Sequence, residues 1–335
     1  MLSSPGTMAA VPWPPRYYSY AAVSLLVGLG QLFPAYTNFV LGVPLAVGMV
    51  ALGLAHGACD QLVVPAAAPA ANALRDWRYW GRFLVGYLGL AVVVGLCWWR
   101  WPAATVGLFF LLTMWHWGSA DAPPPTQVSG AVWLSHSLLR GTLLFAVPAT
   151  WWPVETASIV NDLLRFTGAA AISPSMFGAV SGGLGIVVMT GHAALWGWYA
   201  RQRRWDLLRQ ELVELLVLAG LLLLLPPRWS VAVYFVYWHS LQHVLRLTSW
   251  LNNGQLLPTG WALLPQLVFF LRRATPLLLL SCMALLVLGR LLAHRLPDAA
   301  AWFSLALVVA SIVTLPHALL VTLVMDAPHR KRKAF

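Results

Sequence analysis

Long apolar stretches, separated by short connectors that carry proline or charge, follow one another along nearly the whole sequence. Of the 335 residues, 60% are hydrophobic and only 9% are charged. So few charges cannot cover the surface of a soluble domain, whereas an apolar run of about 17–25 residues is long enough to cross a bilayer as a helix. The sequence therefore predicts an all-α, polytopic transmembrane helical bundle.

Apolar windows of this length predict about ten spans, with eight as the lower bound. We expect one integral membrane domain over residues 1–335, with a short N-terminal segment at 1–17 and a basic cytoplasmic tail at 326–335. The connectors at 151–175 and 251–273 are expected to be a loop and an interfacial segment. The predicted spans lie near 18–35, 38–57, 82–99, 102–119, 131–149, 177–200, 211–226, 229–247, 274–292 and 301–324.

The basic residues are unevenly distributed between the two sides of this topology. Most of the 21 lysines and arginines lie in the N-terminal segment, in the connectors after even-numbered spans and at the C-terminus. Because cytoplasmic loops are enriched in Lys and Arg, both termini are predicted to be cytoplasmic. The same scatter argues against nucleic acid as a partner despite the net charge of +11. The three cysteines form no CxxC pair, so they indicate neither a disulfide framework nor a thiolate metal site.

Two histidines, His239 and His243, lie four residues apart within one uncharged apolar run. That spacing places both imidazoles on one face of a helix. A polar group inside a membrane span needs a partner because no water is available there. A metal ion would satisfy both rings, and hydrogen bonds to carbonyls or hydroxyls would do so equally well.

Histidine recurs at a similar depth in two other predicted spans. His56 lies near the end of the second span and His116 near the end of the fourth, and both spans run in the same direction as the one that holds His239 and His243. The four rings are therefore expected to meet in the cytoplasmic half of the bilayer. Neutral imidazoles without a thiolate suit Fe(II), Zn(II) or Cu. A four-histidine site leaves open positions on six-coordinate iron but closes four-coordinate zinc, so iron is favoured for catalysis on a substrate dissolved in the membrane.

Several polar residues accompany these histidines. Asp60, one helical turn after His56, is placed to accept that ring's second N–H, and Asp121 is placed to do so for another histidine; the alternative is that both carboxylates cap helix ends. His317, after Pro316, either approaches the metal or occupies a helix kink. Gly57 and Gly118 are expected to permit a close approach of a helix or ligand. His192 is expected to have a packing role. The histidines expected near the interfaces, in contact with solvent, are His136, His294 and His329.

The motifs His56-Gly-Ala-Cys-Asp60, His116-Trp-Gly-Ser-Ala-Asp121 and Trp238-His-Ser-Leu-Gln-His243, with the Pro316-His317 step, resemble the Brp/Blh family of membrane β-carotene 15,15'-dioxygenases over about residues 50–325. The resemblance implies an Fe(II) enzyme of a bacterial or archaeal plasma membrane. Such an enzyme cleaves the central double bond of β-carotene with O2 and supplies two all-trans retinal molecules to a microbial rhodopsin.

The resemblance also assigns roles to individual residues. The metal ligands and catalytic residues would be His56, His116, His239 and His243, with Asp60, Asp121 and His317 around them. The aromatic residues expected to line a substrate tunnel are Trp115, Trp117, Tyr234, Tyr237 and Trp238. Three positions depart from the family pattern, namely Gln61, Gln242 and Trp117, and none of them is a proposed ligand.

Three other functions fit parts of this pattern. A membrane di-iron desaturase or hydroxylase also uses histidines on lipid-soluble substrates, but this chain has one HxxxH pair and no HxxHH box. A haem-binding electron carrier would use histidine pairs across helices. A metal or proton transporter would be expected to carry intramembrane carboxylates across the bilayer, and no such chain of carboxylates is present.

Overall fold

The structure is a computed structural model that describes residues 15–67, 76–123, 127–252 and 263–326, and in these ranges every regular element is helical. The predicted all-α class is therefore confirmed. The segment before residue 15 and the basic tail after residue 326 lie outside the described residues. We number the helices α1 Pro15–Leu32, α2 Pro34–Gly57, α3 Asp60–Ala67, α4 Trp77–Arg100, α5 Pro102–Asp121, α6 Gly130–Trp151, α7 Pro153–Phe166, α8 Pro174–Arg201, α9 Trp205–Leu224, α10 227–251, α11 Leu263–Leu292 and α12 Ala299–Leu320.

Six helices among the described residues are long and apolar enough to cross a membrane: α2, α4, α6, α8, α11 with the turn that follows it, and α12 with its C-terminal extension. Each of these six overlaps one of the predicted spans. The other four predicted spans are also helical, in α1, α5, α9 and α10. The chain is therefore a helical membrane protein, and its total of ten crossings remains a prediction.

Two connectors differ from expectation. The region expected to be a loop at 151–175 contains α7, because Pro153 and Glu155 in its first turn favour a helix start. The region expected to be interfacial at 251–273 belongs from Leu263 onward to α11, a helix of 30 residues that runs without interruption into the predicted span. The interfacial position of residues 263–273 remains a prediction, and residues 253–262 lie outside the described part of the chain.

Helices α5 and α6 are in backbone contact through two glycines. A Cβ added at Gly118 would lie 1.8 Å from the carbonyl oxygen of Ser137, and one added at Gly141 would lie 1.8 Å from that of Met114. Any side chain at either position would therefore force the helices apart. The close approach predicted for Gly118 is confirmed, whereas a Cβ at Gly57 would meet nothing within 4 Å, so no helix approaches closely there.

Helices α2 and α10 contain wide π-helical turns where they meet. The π segments are Met49–Leu54 in α2 and Tyr234–Ser240 in α10. Gly48 faces Val236, since a Cβ added there would lie 2.5 Å from Val236 Cγ1. A third π segment, Val321–Asp326, continues α12. π-Helical turns rotate the side chains that follow them and occur often at functional sites.

Candidate metal centre

Five histidine rings from four helices converge inside the bundle. His56 lies near the end of α2, His116 in the last third of α5, His239 and His243 in α10, and His317 near the end of α12. All five side chains are buried, with residue exposures between 1% and 7%. His239 lies at the midpoint of α10 and the other four histidines lie in the C-terminal halves of their helices, and the four helices bring the five rings together. The sequence predicted this convergence for four of the five.

Four of the rings form a closed cycle and the fifth caps it. In the order His56, His239, His116, His317 and back to His56, successive ring centroids are 5.9, 5.0, 5.0 and 5.0 Å apart. His243 approaches all four, with centroid distances from 5.3 to 6.5 Å. His239 and His243 are stacked with an angle of 5° between their planes, as their spacing on one helix face predicted.

These distances are close to those of imidazoles that share one ion. With a metal–nitrogen bond of about 2.1 Å, two rings at right angles around an ion have centroids roughly 4.6 Å apart, and two opposite rings roughly 6.5 Å apart. The cluster is slightly wider than this. In the described part of the chain, no group of three or more His, Cys, Asp or Glu side chains is placed so that it could hold a metal ion without rearrangement.

Five buried ring nitrogens of the cluster have no hydrogen-bond partner among the described residues. These are Nε2 of His116, His243 and His317, together with both nitrogens of His239. A buried polar atom without a partner costs free energy, and native structures rarely contain several of them in one place. A metal cation would satisfy one nitrogen of each ring through the single lone pair of a neutral imidazole, so the chemistry of the donor set fits a metal.

Asp60 fixes the orientation of His317. The Nδ1 atom of His317 lies 2.9 and 3.0 Å from the two carboxylate oxygens of Asp60, and the Tyr87 hydroxyl donates to the same carboxylate at 2.9 Å. With the Nδ1 proton on this bond, the lone pair of His317 is on Nε2 and faces the other rings. The expectation that Asp60 bonds to His56 was wrong, because Nδ1 of His56 faces the carbonyl of Leu52 at 3.2 Å instead.

Asp121 acts on aromatic side chains and not on a histidine. Its Oδ2 accepts hydrogen bonds from the Tyr234 hydroxyl at 3.0 Å and from the Trp238 indole at 2.9 Å. Trp238 immediately precedes His239, and Tyr234 begins the same π segment. Asp121 therefore holds that segment of α10 against the end of α5. Both alternatives for Asp121, a histidine partner and a cap of a helix end, were wrong because its buried carboxylate bonds to two side chains of α10.

The comparisons with known proteins agree with this geometry. The sequence profile of the family described as "Beta-carotene 15,15'-dioxygenase" matches residues 47–325, which include all five histidines. The chain belongs to the β-carotene 15,15'-dioxygenase family. The resemblance of the histidine motifs is thereby confirmed, and the protein is a carotenoid-cleaving dioxygenase.

One relative of the chain is a protein of Halobacterium salinarum named "Probable beta-carotene 15,15'-dioxygenase Blh". The two are 28% identical over 299 residues, and the match covers 83% of each chain. No solved structure matches the chain. The five-ring cluster is therefore described for this member of the dioxygenase family from its own geometry.

The five aromatic residues expected to line a tunnel have different surroundings. Tyr234 and Trp238 bind Asp121, and the Tyr237 hydroxyl donates to the carbonyl of Pro44. Trp115 packs edge-on against Trp133, on the side of α5 away from the histidines. Trp117 has its ring 5.8 Å from that of His239.

A largely apolar cavity of about 630 Å³ extends from Trp117 into the bundle. Its walls come from α5, α6, α7 and α8, with smaller contributions from the start of α10 and from α12. Of the five aromatic candidates, all of which lie in the described part of the chain, Trp117 alone belongs to this wall. A cavity of this size and lining is typical of sites for small apolar ligands in proteins.

A buried network of charged side chains lies next to the histidine cluster and was not predicted. Arg140 of α6 is fully buried, and its Nη2 atom lies 2.5 Å from Glu211 and 3.0 Å from Glu214, both on α9. Nη1 of Arg16 on α1 pairs with Glu214, and Nη2 of the same residue donates to the Asp121 carbonyl at 3.4 Å. The network thus ties α1, α6 and α9 to the end of α5 in the dioxygenase fold.

His136 and His192 belong to this network. Nε2 of His136 lies 2.9 Å from Glu211, and its Nδ1 lies 3.1 Å from the Tyr199 hydroxyl, so the expectation that His136 is solvated was wrong. His136 is one turn before Arg140, and both therefore face α9. His192 bonds to the Val188 carbonyl at 2.8 Å, in keeping with its packing role. His294 is exposed as expected, and His329 lies outside the described residues.

Proposed function

We propose that this dioxygenase holds one Fe(II) in the five-histidine cluster and uses O2 to cleave the central 15,15' double bond of β-carotene into two molecules of all-trans retinal. The observation that carries the proposal is the convergence of five buried imidazoles, with nitrogens that lack partners, in a member of a β-carotene-cleaving family. Both oxygen atoms of O2 end in the two aldehydes, so the reaction needs neither a reductant nor a net proton.

His56, His116, His239 and His317, the four rings of the cycle, together with His243, would hold the metal. His317 already has the tautomer that metal binding requires, because Asp60 holds its Nδ1 proton and leaves the lone pair on Nε2. His243 has the tautomer least suited to metal binding. Its Nδ1 is 3.0 Å from Nη2 of Arg246, and a guanidinium can only donate, so this contact puts the proton of a neutral ring on Nε2. His243 would bind through Nε2 once Arg246 releases Nδ1.

Bound by these imidazoles, Fe(II) would supply the redox chemistry by which O2 reacts with an unactivated double bond. The protein's own residues provide position and a dry environment. Asp60 holds His317, and Asp121 holds Tyr234 and Trp238 beside His239. The Trp117 ring, between His239 and the apolar cavity, presents a flat surface to a polyene next to the metal centre.

The location of the site follows from the same proposal. The enrichment of Lys and Arg in the C-terminal tail and in the connectors after even-numbered spans supports ten crossings with cytoplasmic termini. The histidines would then lie in the cytoplasmic half of the plasma membrane of a bacterium or archaeon. Substrate and product both dissolve in lipid, and the retinal would pass through the membrane to a rhodopsin in the same cell.

The test is expression in a bacterium that accumulates β-carotene, with a His239→Ala variant expressed to the same level as the control. We expect the wild type to bleach the cells and all-trans retinal to accumulate, with both effects lost in the variant. Retinal, rather than a longer apocarotenal, identifies the central bond as the one cleaved. Persistent colour with intact, iron-loaded wild-type protein would refute β-carotene as the substrate.

A further inference from the structure

The wall of the 630 Å³ cavity changes in exposure from one end to the other. At the inner end, the side chains of Thr113 and Leu144 are buried at 3% and 2% exposure. At the outer end, Leu111 on α5 is 62% exposed, and Met176 and Val180 on α8 are 60% and 49% exposed although they line the same cavity. The cavity is therefore open at the surface of the protein where α5 and α8 face outward.

The surface around this opening is apolar. Leu108 on α5 is 61% exposed and Ile186 on α8 is 65% exposed, and α8 is one of the helices long and apolar enough to span a membrane. A surface of this composition faces lipid and not water. An apolar molecule dissolved in the bilayer can therefore reach the cavity sideways without crossing an aqueous phase.

The inner end of the cavity adjoins the metal centre. Thr113 and Met114 lie in the turn of α5 that precedes His116, and the Trp117 indole contacts the His239 ring. The cavity wall on α5 extends from Ala103 to Trp117, a distance of about 21 Å along the helix at the usual rise per residue. The cavity is thus long, apolar, open to lipid at one end and closed by a ring of the candidate active site at the other.

The only hydroxyl side chains in the cavity wall, among the described residues, are already bonded to the backbone. Thr113 donates to the Phe109 carbonyl and Thr156 to the Pro148 carbonyl, each at 2.8 Å, and Ser181 donates to the Gly178 carbonyl at 3.1 Å. These bonds leave no hydroxyl proton directed at a ligand. The wall is therefore suited to a hydrocarbon and not to a lipid headgroup.

We propose that one end of the carotenoid enters this cavity from the lipid through the opening between α5 and α8, and that Gly107 keeps the opening wide enough for it. A Cβ added at Gly107 would meet no atom within 4 Å, although the residue lines the cavity. The entering arm lies along α5 with its polyene against Trp117, which brings the central double bond to the histidine cluster. This inference rests on the proposed function and names the route by which its substrate arrives.

The test compares Gly107→Phe with Gly182→Phe, a matched change on α8 at another glycine that meets no atom within 4 Å and does not line the cavity. Wild type and variants are purified without oxygen from cells that make β-carotene, so that bound substrate is retained and not consumed. The carotenoid and iron in each sample are quantified per chain, and cleavage is then measured after oxygen is admitted.

We expect Gly107→Phe to lower both retained β-carotene and the cleavage rate by on the order of 10-fold or more, because the added ring occupies the opening. Iron content and melting temperature should stay at the wild-type values, and Gly182→Phe should match the wild type throughout. Val180→Phe, which narrows the opening from α8, should have the same effect as Gly107→Phe.

Three results would overturn the inference. The first is an unchanged amount of carotenoid in both opening variants, and the second is that the wild type retains no carotenoid. The third is that the opening variants lose co-purified phospholipid instead of carotenoid, which would make the cavity a site for a lipid acyl chain. The proposed function is tested separately. If β-carotene is retained in a Gly107-dependent manner but no retinal forms, the route stands and the reaction is wrong; if retinal forms equally in all variants, the reaction stands and the route is wrong.

Discussion

The hydrogen bond between Asp60 and His317 provides a quantitative test of the metal centre. In Asp60→Asn, the charged acceptor 2.9 Å from His317 Nδ1 becomes a neutral amide of nearly the same size. The imidazole then loses its fixed tautomer and part of its basicity, while the packing around residue 60 is retained. Loss of such an outer partner typically weakens metal binding by about 10–100-fold, which corresponds to about 1.4–2.7 kcal/mol.

The matched control is Tyr87→Phe, which removes the other hydrogen bond to the same carboxylate, at 2.9 Å, and leaves the bond to His317 in place. Both variants are purified without oxygen, and their affinity for Fe(II) is measured by competition with a coloured chelator. We expect a decrease of 10–100-fold for Asp60→Asn and less than about 3-fold for Tyr87→Phe. An Asp60→Asn protein that binds iron as tightly as the wild type would show that His317 is not a ligand oriented by Asp60.

Two further predictions concern the packing that supports the site. Gly118→Ala should lower the melting temperature in detergent by several degrees or prevent folding, because the new methyl group would lie 1.8 Å from a backbone oxygen. Its control, Gly182→Ala, has open space around it and should change the free energy of unfolding by no more than about 0.5 kcal/mol. Glu211→Gln should destabilise the protein by about 1.5–3 kcal/mol, because the buried Arg140 loses one of its two charged partners and keeps Glu214. Asp206→Asn, on the exposed start of the same helix, should not destabilise it, and equal melting temperatures for the two variants would contradict a structural role for the network.

The sequence predicted the helical class and the meeting of four histidines because both follow from simple spacing. The pair His239 and His243 occupies one helix face, and the other two rings follow from the direction in which successive spans cross the membrane. The close contact at Gly118 was likewise predictable, since only a small residue permits backbone contact between helices.

The partners of the two aspartates were not predictable in the same way. The π-helical turns in α2 and α10 change the direction of the side chains that follow them, and no residue pattern in the sequence predicted these turns. The helix that carries His56 ends at Gly57 and Asp60 begins the next one, so the two residues are not one turn apart on a single helix. Asp60 faces His317 instead, which is 257 residues away in sequence. A local spacing argument cannot find a partner on a distant helix.

The buried charge network corresponds to a recognisable pattern in the sequence. Arg140 follows His136 by four residues and Glu214 follows Glu211 by three, and both pairs lie inside apolar segments. Polar residues at helical spacing inside two spans indicate two facing helix surfaces, because ionisable groups in a membrane pair with one another.

The iron content of the purified protein is the most direct test of the central claim that five imidazoles hold one metal ion. We expect one iron per chain and no haem absorption band. Iron and β-carotene cleavage should be lost together in His56→Ala, His116→Ala, His239→Ala, His243→Ala and His317→Ala, each checked for folding by its melting temperature. Two irons per chain, a haem band, or a folded His239→Ala protein that retains full iron and activity would contradict it.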